Sequence, residues 1–115
     1  VLEAPVGSTK FGHRTAGGDL NGDGSDDLLV AAPGYPWGDS VYVFHGSGIG
    51  VPATPTTRLA PPSGAVEFGG ALVVPGDVNR DGYDDALILA TGLPIRGYLY
   101  LGGPAGLGAT PGATF

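Results

Sequence analysis

Two nine-residue stretches, DLNGDGSDD at 19–27 and DVNRDGYDD at 77–85, hold eight of the chain's 11 acidic residues. Only Glu3, Asp39 and Glu67 lie outside them, so the formal charge of −6 is a local property. Like charges this close repel, and a bound cation is one way to offset the repulsion. The spacing suits one. Counted from Asp19, side-chain oxygens fall at positions 1, 3, 5 and 9: Asp19, Asn21, Asp23 and Asp27, with the Ser25 carbonyl available at position 7. The second stretch offers Asp77, Asn79, Asp81 and Asp85, with the Tyr83 carbonyl at position 7. Calcium takes several hard oxygen ligands at about 2.3–2.6 Å, and a glycine at position 6 permits the sharp turn such a loop needs. Gly24 and Gly82 stand there. Magnesium suits the pattern less, because it demands near-octahedral geometry and dehydrates reluctantly. The expectation is two calcium ions per chain, with Asp26 and Asp84 at position 8 pointing away from the ion.

An EF-hand would need an acidic ligand at position 12. Val30 and Ile88 stand there, inside apolar runs and without flanking helices. A dockerin-like pair fails for the same reason.

The elements that hold the two loops come from a repeat. KFGHRTAGGDLNGDGSDDLLVAA lines up with EFGGALVVPGDVNRDGYDDALILA, and SVYVFHGSGIGVPATP with RGYLYLGGPAGLGATP. A period near 57 residues built of short apolar runs marks a repeat array. The units divide as 1–58 and 59–115. In the first, strands are expected at Arg14–Gly17, Asp27–Ala32 and Ser40–His45, with a weaker outer strand at Thr56–Ala60. In the second they are expected at Ala71–Pro75, Asp85–Thr91 and Gly97–Leu101. Each acidic loop thus joins the first two strands of its unit. Tyr42, Phe44, Tyr98 and Tyr100 alternate with Val41, Val43, Gly97 and Leu99, the pattern of a strand with two unlike faces.

Composition narrows the function classes. The 23 Gly and 11 Pro oppose helix, while the apolar runs oppose disorder. The five Lys and Arg are scattered, so there is no patch for nucleic acid phosphates. No apolar stretch approaches the ~18 residues of a membrane span, and no basic n-region marks a signal peptide. The two histidines, His13 and His45, form no cluster with cysteine, which the chain lacks, so catalysis is not expected.

FG, a short strand, GD-x-N-x-DG-x-x-D, an apolar strand and then V-Y-V-F resembles the FG-GAP repeat of integrin alpha-chain β-propellers. Similar repeats occur in calcium-binding propeller lectins. Phe11-Gly12 and Phe68-Gly69 match the FG element and Ala32-Pro33-Gly34 the GAP-like end, while Ala90-Thr91-Gly92 lacks the proline. The resemblance implies an all-β chain of two propeller blades, each of four antiparallel strands, with calcium in a structural role. It also implies a secreted or extracellular setting and a binding function toward a glycan or a surface protein. Tyr35, Trp37, Asp39, His45 and Arg96 are the candidate ligand contacts. The other readings are a purely structural two-blade piece of a larger propeller and a protein–protein adhesion module. Two blades cannot close a ring, so copies are expected to associate head to tail, three (six blades) ahead of four (eight).

Overall fold

The computed structural model of the chain describes residues 14–32, 40–47 and 55–115. Its eight strands are β1 (Arg14–Gly18), β2 (Asp27–Ala32), β3 (Ser40–Phe44), β4 (Thr57–Leu59), β5 (Phe68–Gly76), β6 (Asp85–Ala90), β7 (Arg96–Tyr100) and β8 (Ala113–Thr114). They form two four-stranded antiparallel sheets in the orders β1-β2-β3-β4 and β5-β6-β7-β8. Strands adjacent in sequence are neighbours in space, as in a meander. Both acidic stretches connect the first two strands of a sheet, as the repeat predicts. Among the described residues no helix is long and apolar enough to cross a membrane.

Most strand ends fall within a residue of those expected. The largest difference is β5, which starts at Phe68 rather than Ala71. Its pairing with β6 shifts register between Phe68 and Ala71 and again between Val73 and Gly76. These irregularities let one strand carry extra residues against its partner. Left-handed backbone at Glu67 (φ 57°) and Gly69 (φ 87°) accompanies the entry.

The core lies between the sheets. Leu29, Val41, Val43 and Leu59 of the first sheet share one buried cluster with Phe68, Ala86, Ile88, Ala90, Tyr98 and Tyr100 of the second. The period-2 alternation of strands explains the selection: residues 86, 88 and 90 point to one face of β6 and 87 and 89 to the other. A second cluster, Val30, Ala32, Tyr42 and Phe44, occupies the opposite face of the first sheet. β3 is therefore buried on both faces.

The FG element is the hinge of this packing. Phe68 is fully buried, and its ring meets Tyr98 and Tyr100 edge-on at centroid separations of 5.9 and 6.2 Å. Gly69 follows it in left-handed backbone that a side chain rarely adopts, and a Cβ there would fit tightly, 3.1 Å from Val41 Cγ2 and 3.2 Å from Ala31 Cβ. The matching Phe11 and Gly12 lie outside the described residues.

The tyrosines between the sheets carry an unmet polar demand. Neither the Tyr98 nor the Tyr100 hydroxyl finds a hydrogen-bond partner among the described residues. Burial, with Tyr98 adding to it, pushes the Tyr100 phenol up to about 12. A buried hydroxyl without a partner costs about 1–3 kcal/mol.

Two substitutions separate these contributions in urea unfolding. Phe68→Ala should cost about 3–5 kcal/mol, because it empties the centre of the interface between the sheets. Tyr100→Phe, which copies Phe44 of the first repeat, should leave stability unchanged or raise it by about 1 kcal/mol. A loss from Tyr100→Phe would mean that its hydroxyl has a partner.

Candidate metal centre and the seam between the sheets

The two acidic loops are folded by their own backbone. Asp19 at position 1 accepts hydrogen bonds from the N–H groups of Gly22 (2.9 Å), Asp23 (3.2 Å) and Gly24 (2.9 Å). Asp77, its counterpart, accepts from Asp81 (3.0 Å) and Gly82 (2.7 Å). Position 5 caps position 7 in both loops: the Ser25 N–H donates to Asp23 Oδ1 at 2.9 Å, and the Tyr83 N–H to Asp81 Oδ1 at 3.0 Å. Positions 4 and 6 are left-handed in both copies, Gly22 and Gly24 in one and Arg80 and Gly82 in the other. Glycine suits that region, and Arg80 holds it as the less usual residue.

Position 9 does something different. Asp27 and Asp85 are buried, and each fastens three parts of its unit together. Asp27 accepts from the Leu20 N–H at the head of the loop and from the Gly46 N–H beyond β3, both at 2.8 Å. Asp85 repeats this with Val78 (2.9 Å) and Gly102 (2.8 Å). Gly46 and Gly102 are required by close approach. A Cβ on Gly46 would run into the Asp26 carbonyl, and one on Gly102 into the carbonyls of Asp84 and Leu20.

The electrostatics follow from these partners. Desolvation raises Asp27 above the usual 3.8, against the Gly46 and Leu20 N–H groups, which lower it. The Gly82 N–H leads the groups that hold Asp77 below 3.8. The signs are opposite. Asp77 contributes stability above its unfolded value, lost as pH falls through its lowered folded one; ionising Asp27 on raising the pH costs stability instead.

The side chains at positions 1, 3 and 5 are half-buried or exposed. Among the described residues, no three His, Cys, Asp or Glu side chains gather as a ready-made metal-holding group. The donors along each loop are nonetheless all oxygen, and a carboxylate has about four lone-pair sites, more than these N–H bonds use. The set fits a hard cation held by Asp19, Asn21, Asp23 and the Ser25 carbonyl, or by Asp77, Asn79, Asp81 and the Tyr83 carbonyl. Asp27 and Asp85, at position 9, stand buried at the base of each loop, each accepting one N–H bond on either oxygen.

The second unit grips the first loop. The Asp84 N–H donates to the Asp19 carbonyl and the Asp19 N–H to Asp84 Oδ2, both at 3.0 Å, while the Gly103 N–H donates to the Leu20 carbonyl at 3.2 Å. Asp84, at position 8 of the second loop, reaches to the neighbouring sheet. Residue types did not reveal this role, although the coincidence of Gly46 with Gly102 in the repeat was a signal for the close approach beneath position 9.

The candidate ligand contacts divide. Tyr35, Trp37 and Asp39 lie outside the described residues. His45 is half-buried and its ring packs against Gly106 of the second unit, so it joins the seam. Arg96 is exposed at the start of β7, opposite Ala90. The structure does not bring His45 and Arg96 together as one site.

A family model described as FG-GAP-like repeat matches residues 19–88, most of the chain. The chain belongs to the FG-GAP repeat family. It is 40% identical over 110 residues to integrin alpha-PS5 of Drosophila melanogaster, covering 88% of this chain and 11% of that protein. Integrin alpha-3 of Cricetulus griseus is 38% identical over 117 residues, covering 93% and 11%, and human integrin alpha-7 is 36% identical over 110 residues, covering 88% and 9%. The chain thus spans about a tenth of the length of these relatives. They carry integrin names, not enzyme names, in keeping with the non-enzymatic reading.

The role of position 9 can be measured without a cation. In chelator, Asp85→Ala should cost about 2–6 kcal/mol in urea unfolding, since two backbone N–H groups lose their acceptor at about 1–3 kcal/mol each. Asp26→Ala, at an exposed position, should stay within about 0.5 kcal/mol of wild type. Equal effects would contradict the assignment of Asp85 as a structural fastening.

Proposed function

We propose that the chain is a pair of consecutive blades of an integrin-like adhesion propeller, a scaffold for protein–protein contact stiffened by calcium in its two loops. The observation that carries this reading is the outward face of the second sheet. Leu87, Leu89 and Phe115 surround Gly97 there, with Leu99 on the same face of β7. Leu87, Leu99 and Phe115 occupy the repeat positions of Leu29, Val43 and Leu59, which in the first sheet are buried against the second. Phe115 is 73% exposed and Val73 44%. An apolar face at these repeat positions suits another blade as its neighbour, and soluble proteins seldom leave such a surface bare.

A neighbouring blade of the same propeller would cover this face, and in the isolated chain head-to-tail association of copies would do so, a heterologous contact that ends when rotation closes the ring. Three copies give six blades and four give eight. A cation in each loop would further offset the carboxylate repulsion and favour the ordered, assembled form. The integrin relatives support an extracellular setting. A glycan-binding role has no comparable support, because the described contacts His45 and Arg96 do not converge.

Light scattering and calorimetry on purified chain test the reading together. Two calcium ions should bind per chain, and the mass at micromolar concentration should be a closed multiple of 11.4 kDa, reduced by Leu99→Glu. A well-folded monomer in calcium would contradict the assembly, and zero stoichiometry at millimolar calcium would contradict the metal reading.

A further inference from the structure

Apart from Leu20 and Val78, the two loops differ at two positions, and these differ together. Position 4 is Gly22 in the first loop and Arg80 in the second; position 7 is Ser25 in the first and Tyr83 in the second. The structure brings these two positions face to face across the seam. The Tyr83 ring lies over Gly22, where a Cβ would stand 2.8 Å from Cε1 and 2.9 Å from Cδ1. The Asp84 N–H, bonded to the Asp19 carbonyl at 3.0 Å, fixes that register. A large position 7 is thus seated on an empty position 4.

The remaining pair reverses the sizes. Ser25 is half-buried on the first unit and Arg80 is exposed on the second. Repeating the internal junction between copies sets position 7 of one chain's first unit against position 4 of another chain's second unit. There the small residue meets the long one. Charge matches as well, because Asp23 and Asp26 beside Ser25 are exposed and Arg80 is one of five Lys and Arg in a chain of net charge −6. Arg80 also holds left-handed backbone (φ 61°), the region that Gly22 occupies in the first loop (φ 74°). Arginine bears a conformational cost there that glycine would not, and a contact made by its side chain would offset that cost.

We infer that Arg80 of one copy seats over Ser25 of the next, so that positions 4 and 7 form a size- and charge-matched key by which this chain pairs with itself. The inference rests on the head-to-tail reading above and names its contact. It needs no cation, since it uses the Ser25 and Arg80 side chains alone. The key lies in residue type, so it recurs at every second junction of a closed ring.

Sedimentation velocity on the full chain over a concentration series, in one buffer for all variants, reads the pairing. Ser25→Tyr sets a ring against Arg80 and should raise the concentration of half-assembly about tenfold. Arg80→Gly empties the contact and should raise it about tenfold too. Urea unfolding of the dilute Arg80→Gly chain should be unchanged or more resistant, because glycine relieves the left-handed backbone. Ser25→Tyr combined with Arg80→Gly copies Tyr83 over Gly22 at the outer junction and should return to within about threefold of wild type. Each new residue is the one the other repeat carries at that position, and far-UV circular dichroism checks that each variant folds. Wild-type assembly that Arg80→Gly or Ser25→Tyr leaves untouched would overturn the key and leave head-to-tail association standing. So would a double variant that assembles no better than Ser25→Tyr alone. A wild-type chain that stays monomeric across the series would overturn the key and the head-to-tail reading together.

Discussion

A buried carboxylate that fastens three pieces of backbone is the interaction on which each blade depends. Asp27 ties the head of its loop at Leu20 to the chain beyond β3 at Gly46, and Asp85 does the same with Val78 and Gly102. Burying a carboxylate is costly, and Asp27 carries that cost as a raised pKa. Charge-assisted bonds to backbone N–H groups offset it. The same residue begins β2 or β6, so one side chain sets where the loop ends and where the central strand starts.

This fastening changes how the acidic stretches are understood. Four carboxylates within nine residues invite a cation as the answer to their repulsion. Much of the offset is already internal, because Asp19, Asp23 and Asp27 in the first loop, and Asp77, Asp81 and Asp85 in the second, each accept from backbone N–H groups. A cation at the proposed site would meet a loop whose shape exists beforehand, which lowers the ordering cost that would otherwise be charged against affinity. The fourth carboxylate of the second loop, Asp84, is spent on the neighbouring sheet.

What could be read from residues alone was whatever repeats. The 1-3-5-9 oxygen spacing and the alternation through VYVF and YLYL placed the loops and the strands with little error. The bulged entry of β5 was less visible, because left-handed Glu67 announces no turn by its type. Contacts between blades were hidden for a different reason. They depend on how one sheet lies across the next, an angle that no single repeat encodes, so Asp84 reads as an acid turned away from the ion and His45 as a candidate ligand contact until Asp19 and Gly106 are seen beside them. Only one such junction exists inside two units, which leaves Asp26 and Asp84 with the same letter and different surroundings.

Amide hydrogen exchange on the calcium-free chain tests the position-9 fastening most directly. The Leu20, Gly46, Val78 and Gly102 amides should be protected in chelator, and Asp85→Ala should release Val78 and Gly102 while Leu20 and Gly46 stay slow. Exchange of all four in wild type at the rate of open loop amides, with protection appearing only when calcium is added, would contradict the account and make the cation the organiser of each blade.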